Sequence, residues 1–317
     1  MKIVFLDSYT LNPGDLSWSA LDALGVVVYY PRSSPAEIVG RCRDAEVVIT
    51  NKALLTEEII KQLPTLELIC VAATGYNNVD LVAARNRNIA VTNVSGYSTA
   101  SVTQHVFAML LSYLNKPAQY NADVREGRWS KAEDFCFVDE TIPDIGQLVL
   151  GVMGYGNIGR RVAQVGVAME MTVIVHSKYP ERYQEDDVTY VSQDAILENS
   201  DVISLHIPLT EKTKEIINKD SLARMKKNCI LINTSRGPLI HEEDLYNALE
   251  NRTIAAALLD VLCEEPPPED HLLSTSPYCY ITPHQAWANL QARQNLLKGL
   301  VENIAAYQKG HVINLVN

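Results

Sequence analysis

Leu148-Val-Leu-Gly-Val-Met-Gly-Tyr-Gly-Asn-Ile-Gly159 decides the fold: an apolar run over 148–153 passes directly into the G-x-G-x-x-G loop Gly154-Tyr-Gly-Asn-Ile-Gly159. Such a loop alone is a weak signal, because glycine-rich turns are common. Its setting strengthens it. Gly154 permits a tight turn after a strand, Gly156 lets the backbone approach a pyrophosphate, and Gly159 allows close packing of a helix carrying Ile158, Val162, Val165 and Met169. The N-terminus of that helix would then face the phosphates of a dinucleotide.

Downstream, candidate strands over 172–176, 202–206, 229–233, 254–260 and 280–282 join 148–153 to make six, the number in a dinucleotide-binding sheet. Upstream, β-rich runs over 3–6, 26–29, 47–50, 68–71 and 90–92 alternate with amphipathic segments such as 57–62. Strand–helix alternation implies parallel sheets covered on both faces. Between the two series lies an apolar helix over 102–114, stopped by Pro117, and then a polar stretch containing Trp129, Phe135 and Phe137. That stretch is either an arm covered by a second subunit or a surface loop packed on its own chain. The last helical pattern, 286–307, has no strand of comparable length after it and would return the chain to the first domain. The expected fold is α/β, with two doubly wound parallel-sheet domains. A Rossmann cofactor domain (99–285, with a possible dimerisation arm) is inserted in a flavodoxin-like substrate domain (1–98 and 286–317).

The bulk properties agree with a small-molecule partner. At 317 residues and 47% apolar, the chain has material for two cores. A formal charge of -11 argues against broad nucleic-acid or acidic-membrane surfaces, which need clustered Lys and Arg. Six cysteines lie without metal-type spacing, so no metal site is expected, and the opening Met1-Lys-Ile-Val-Phe-Leu-Asp7 reads as a strand rather than a secretion signal. Reduced thiols and a cytoplasmic protein are expected. No apolar run reaches the ~20 residues that span a bilayer.

Three further stretches carry chemistry: Asn233-Thr-Ser-Arg-Gly237, Asp260-Val-Leu-Cys-Glu-Glu-Pro266 and Thr282-Pro-His-Gln-Ala-Trp287. They place a cation, a carboxylate and an imidazole after the glycine loop. Taken alone, Arg236 would be a surface turn residue, His284 a structural histidine and Glu265 part of an acidic turn; their combination is what signifies. With the glycine motif, these stretches resemble the D-isomer-specific 2-hydroxyacid dehydrogenase family over nearly the whole chain. Ala73-Thr-Gly-Tyr-Asn-Asn-Val-Asp80 resembles that family's substrate loop. Tyr9-Thr-Leu-Asn-Pro-Gly-Asp15 and Gly96-Tyr-Ser-Thr99 are similar to glycerate dehydrogenases, also called hydroxypyruvate reductases.

The resemblance implies hydride transfer between a nicotinamide and the second carbon of a small 2-keto or 2-hydroxy acid, with hydroxypyruvate or glyoxylate favoured and the D isomer formed. It places Arg236 on the substrate carboxylate, His284 as acid in reduction and base in oxidation, and Glu265 as the partner that orients the imidazole and favours its protonated form. Asp260 resembles the residue that contacts the nicotinamide carboxamide, and Thr234, Asn157 and Ile158 complete the cofactor set with Gly154, Gly156 and Gly159. Backbone N–H groups around Thr74 and Gly75 are expected to bind the substrate carboxylate, with Asn51 and Lys52 as weaker candidates. Trp287 either walls the pocket or is simply a packing residue. A cleft between the domains would close on substrate.

The cofactor's 2′ position is tested by the end of the strand after the glycine helix. Thr172-Val-Ile-Val-His176 ends in Ser177-Lys178, with no carboxylate, and Lys178 or Arg182 could pair with a phosphate, so NADP(H) is preferred over NAD(H). Lys178 can equally be a solvated surface residue, and Glu181 and Asp186 nearby oppose a phosphate. A homodimer is expected. A phosphoglycerate dehydrogenase with an appended regulatory domain fits less well because little chain follows the last helix, and a formate dehydrogenase would not obviously use Glu265. The competing class is a dinucleotide-sensing binding protein, similar to corepressors on this fold.

Overall fold

Val47-Val-Ile-Thr50 and Leu68-Ile-Cys-Val71 are buried at every position, as strands covered on both faces of a parallel sheet must be. In the computed structural model, which describes residues 1–183 and 187–317, such runs build two sheets in two compact units. One unit comprises Met1–Ser98 with Trp287–Asn317, the other Thr99–Ala286.

The first unit holds β1 (Lys2–Phe5), α1 (Ser19–Asp22), β2 (Val26–Tyr29), α2 (Pro35–Cys42), β3 (Val47–Thr50), α3 (Glu57–Ile60), β4 (Leu68–Val71), α4 (Leu81–Asn86) and β5 (Ala90–Thr92). Its five parallel strands run in the order β2-β1-β3-β4-β5. Ile3, Phe5, Ile49 and Leu68 line one face, while Val4, Val48 and Ile69 line the other. Alternate residues of each strand therefore feed two separate cores.

The second unit opens with α5 (Thr99–Asn115) and α6 (Pro117–Arg125). Pro117 does more than stop a helix. Lys116 turns the chain at φ 48°, and Pro117 then occupies the first turn of α6, where its missing N–H costs nothing. The sheet follows as β6 (Val149–Met153), α7 (Asn157–Ala168), β7 (Thr172–His176), β8 (Thr189–Tyr190), α8 (Gln193–Asn199), β9 (Val202–Leu205), α9 (Lys219–Ala223), β10 (Ile230–Asn233), α10 (Glu242–Glu250), β11 (Ala256–Leu259) and β12 (Cys279–Ile281). Its order is β12-β11-β10-β9-β6-β7-β8, all parallel. Among the described residues seven strands stand where six were expected, the addition being the two-residue edge strand β8. The chain returns to the first unit with α11 (Leu290–Gln308), whose start is fixed by Asn289 Oδ1 accepting from Ala292 N at 2.8 Å.

In the seven-stranded sheet the order reverses at β6: the chain moves outward to β7 and β8, then back to β9 on β6's other side. Ligands in open α/β sheets bind beyond the strand carboxyl ends at such a reversal. The glycine loop leaves β6 at this point.

Candidate active site

Two glycines of the loop answer steric demands, and the third borders open space. Gly154 adopts φ 99°, and a Cβ there would stand 2.5 Å from His206 O at the end of β9. A Cβ on Gly159 would stand 2.0 Å from Gly154 O, so only glycine lets α7 press against its own loop. At Gly156, the N-cap of α7, a Cβ would meet nothing within 4 Å. Asn157 begins α7, and Ile158 packs on the apolar cluster beneath it. Open space therefore lies before a twelve-residue helix whose first amides and dipole favour an anion.

Two buried polar atoms without a hydrogen-bond partner among the described residues lie on the neighbouring strand ends: His206 Nδ1 after β9 and Thr234 Oγ1 after β10. Burial pulls the His206 imidazole down to about 3, so it is neutral, with Nε2 2.8 Å from Ser204 Oγ. An open anion site with unsatisfied polar atoms on adjacent strands suits a dinucleotide. At the end of β7, Ser177 Oγ accepts from Tyr179 N at 3.1 Å. Lys178 Nζ and the Arg182 guanidinium lie 5.2 and 4.1 Å from the centre of the Tyr179 ring. Glu181 shares the short turn with Arg182, and Asp186 lies outside the described residues.

Arg236, Glu265 and His284 follow β10, β11 and β12, three adjacent parallel strands, so all three leave the same edge of the sheet. Glu265 Oε2 and His284 Nδ1 are 2.6 Å apart, with the side chains 30% and 25% exposed. Glu265 Oε1 is held by Leu262 N at 3.1 Å. The pair thus combines a fixed carboxylate with a ring still open to solvent. The Arg236 guanidinium donates to Ser235 O at 2.6 Å, and its loop is pinned by Ser235 Oγ to Leu205 O at 2.6 Å and by Asn233 Nδ2 to Arg236 O at 2.8 Å. Gly237 brings this loop against the one carrying Glu265, where a Cβ would stand 2.0 Å from Leu262 C.

Asp260 is 1% exposed. Its carboxylate accepts from Thr282 Oγ1 at 2.6 Å, Gln285 N at 2.9 Å and Ala286 N at 2.8 Å, and its carbonyl accepts from His284 N at 2.9 Å. It is therefore an anchor for the His284 segment, a role the sequence reading missed. The strand end gave its position, but its partners lie 22 to 26 residues away. Gly237 and Thr282 also lie within these motifs, and their contacts with Leu262 and Asp260 carry no local sequence signal.

In the other unit, Thr74 and Gly75 sit on the loop after β4. Thr74 is tied by its Oγ1 to Val94 O at 3.2 Å and by its carbonyl, which accepts from Asn93 Nδ2 at 2.7 Å. The backbone N–H groups of Asn51, Lys52 and Ala53 all donate to Asp7, at 2.8, 2.6 and 2.8 Å. A carboxylate of the chain itself thus occupies that turn. Trp287 is half-buried, edge-on to Tyr97 with ring centres 6.3 Å apart.

Comparison with known proteins identifies the family. The family model for the NAD binding domain of D-isomer specific 2-hydroxyacid dehydrogenases matches residues 107–286. Hydroxypyruvate reductase of Blautia hydrogenotrophica is 40% identical, with 100% of each chain covered. Glycerate dehydrogenase of Methylorubrum extorquens is 39% identical, covering 99% of this chain and 98% of its own. The solved acyclic imino acid reductase Bsp5, in complex with NADPH and D-Arg, has a TM-score of 0.88 and 28% identity over 100% of both chains. The chain belongs to the D-isomer specific 2-hydroxyacid dehydrogenase family and is an oxidoreductase that acts on CH–OH donors with a nicotinamide dinucleotide.

Proposed function

We propose that the protein reduces hydroxypyruvate or glyoxylate to the 2-hydroxy acid, giving the D isomer where the product is chiral, and also runs the reverse oxidation. The 2.6 Å contact between Glu265 and His284 carries this reading. A carboxylate only accepts hydrogen bonds, so the ring hydrogen facing Glu265 resides on Nδ1 and Nε2 is the atom left for proton transfer. When bound, the dinucleotide supplies the hydride in reduction and takes it in oxidation. In reduction, His284 Nε2 gives its proton to the forming alkoxide and the ring returns to neutral with its hydrogen on Nδ1. Arg236 holds the substrate carboxylate through its planar fork, which also fixes the carbonyl's orientation. The names of the two full-length relatives support this substrate class, and they favour turnover over a purely sensing role.

The preferred cofactor in this reading is NADP(H). Ser177 and Lys178 stand where an acidic residue would repel a 2′-phosphate, and Lys178 and Arg182 both gather on Tyr179. A homodimer formed through the 129–142 stretch is supported by the exposure of Trp129, Phe135 and Val138. A cytoplasmic site is supported by six free cysteines; no helix among the described residues is long and apolar enough to cross a membrane.

The test is to mix purified protein with NADPH or NADH and a panel of 2-keto acids, following loss of the reduced nicotinamide absorbance. Hydroxypyruvate or glyoxylate with NADPH should turn over fastest. Failure of every keto acid with both cofactors rejects the reading.

A further inference from the structure

Ser101, His105 and Met109 recur every four residues along α5 and so share one face of that helix. All three meet the segment that carries His284. Ser101 Oγ donates to Ala286 O at 2.6 Å, His105 Nε2 lies 2.9 Å from Thr282 Oγ1 and 3.4 Å from Asp260 Oδ1, and Thr282 Oγ1 lies 3.8 Å from Met109 Sδ. Counting hydrogens gives the direction of the polar chain. The Asp260 carboxylate accepts, so the hydroxyl of Thr282 spends its single hydrogen on Oδ1 at 2.6 Å. Toward His105 that hydroxyl can then only accept, and His105 must carry a hydrogen on Nε2.

Beyond Thr282, Asp260 binds the amides of three consecutive residues, His284, Gln285 and Ala286. They hold His284 at φ 50°, in the left-handed region that non-glycine residues rarely enter. We propose that His105 is a positioning residue for proton transfer. By donating to Thr282 it turns that hydroxyl into Asp260, and through Asp260 it sets the backbone that presents the His284 ring to Glu265. The proposal rests on the reading of His284 as the proton-transfer group.

Two pairs of variants test it, each setting a retained donor against an apolar replacement: His105→Gln with His105→Leu, and Thr282→Ser with Thr282→Val. The His284 ring nitrogens are observed by NMR in the cofactor-free protein, and kcat and keto-acid KM are measured with cofactor. His105→Leu and Thr282→Val should shift the His284 ring signals and lower kcat about tenfold, with KM within about twofold. His105→Gln and Thr282→Ser should stay within about twofold of the parent in kcat. The proposal is overturned by an unchanged His284 spectrum and parental kcat in both apolar variants. It is also overturned if His105→Gln is as impaired as His105→Leu, which marks packing rather than a hydrogen bond. If His105→Leu does not fold, the Thr282 pair decides. If the parent itself turns over no keto acid, the functional reading fails separately, and the cofactor-free spectra still judge the positioning role.

Discussion

Replacing Gly237 by alanine should separate two loops that the proposed chemistry needs together. The new Cβ would stand 2.0 Å from Leu262 C, 2.1 Å from Leu262 O and 2.4 Å from Cys263 N. Ordinary contact begins at 3.4 Å, so 3.4 less 2.0 leaves roughly 1.4 Å that one loop must yield. The obstacle is backbone, so no side-chain rotation relieves it. The obstructed peptide, Leu262–Cys263, also adjoins the Leu262 N that holds Glu265 Oε1. Overpacking of this kind costs about 1–3 kcal/mol, a tolerable fraction of a domain's ~5–15 kcal/mol. Gly237→Ala should therefore fold, with a Tm lower by about 2–10 °C. A misplacement of about 1 Å at catalytic groups can cost about a hundredfold, so kcat/KM for the keto acid should fall about that far. Cofactor Kd should stay within about threefold, because the glycine loop is untouched. Thermal unfolding, fluorescence titration with NADPH and steady-state kinetics measure the three quantities. A kcat/KM within about threefold of the parent would refute the claim that Gly237 sets the Arg236 and Glu265 loops in register.

Three further changes have expected outcomes. His284→Ala should reduce turnover about a hundredfold or more while the protein still binds cofactor; near-normal turnover would remove His284 from the mechanism. Ser177→Asp should move the NADPH/NADH ratio of kcat/KM toward NADH by setting a negative charge against the 2′-phosphate, and an unchanged ratio would reject that assignment of the strand end. His206, held near 3 by burial, stays neutral in the native state where the unfolded chain takes up a proton below about 6.5. The stability this preserves is complete above that pH and is lost as pH falls toward 3, by roughly 2 kcal/mol at pH 5. Urea unfolding of the parent and His206→Leu at pH 7 and 5 would expose the difference; identical pH slopes would show that His206 does not titrate this way.

Strands were the most legible part of the fold because parallel strands buried on both faces read as continuous apolar runs, and Val202–Leu205 is buried throughout. β8 escaped because two residues, one exposed, carry no period. α6 escaped for a related reason: none of its residues is buried, so no apolar stripe marks it, and its start depends on the backbone reversal at Lys116. At the candidate site, residue types near the strand ends were legible from motifs, whereas their attachments were not. His105 and Thr282 are 177 residues apart in the chain, and Gly237 meets Leu262 across a strand. Such contacts arise from folding, and no local pattern encodes them.

His284 shows how the surrounding chain sustains a local conflict. Its left-handed φ costs an ordinary residue about 1–2 kcal/mol, and glycine would remove that cost together with the imidazole. Asp260 supplies the compensation, taking His284 N on its carbonyl and Gln285 and Ala286 N–H on its carboxylate. Hydrogen bonds to a charged group contribute about 1.5–3 kcal/mol each, so the two to the carboxylate alone exceed the backbone penalty. The Asp260 carboxylate therefore offsets the backbone penalty, and in this conformation Nδ1 approaches Glu265 to 2.6 Å. A breach of backbone preference, repaired by a buried acid serving one short segment, is what the proposed proton-transfer role of His284 requires and what packing alone would not retain.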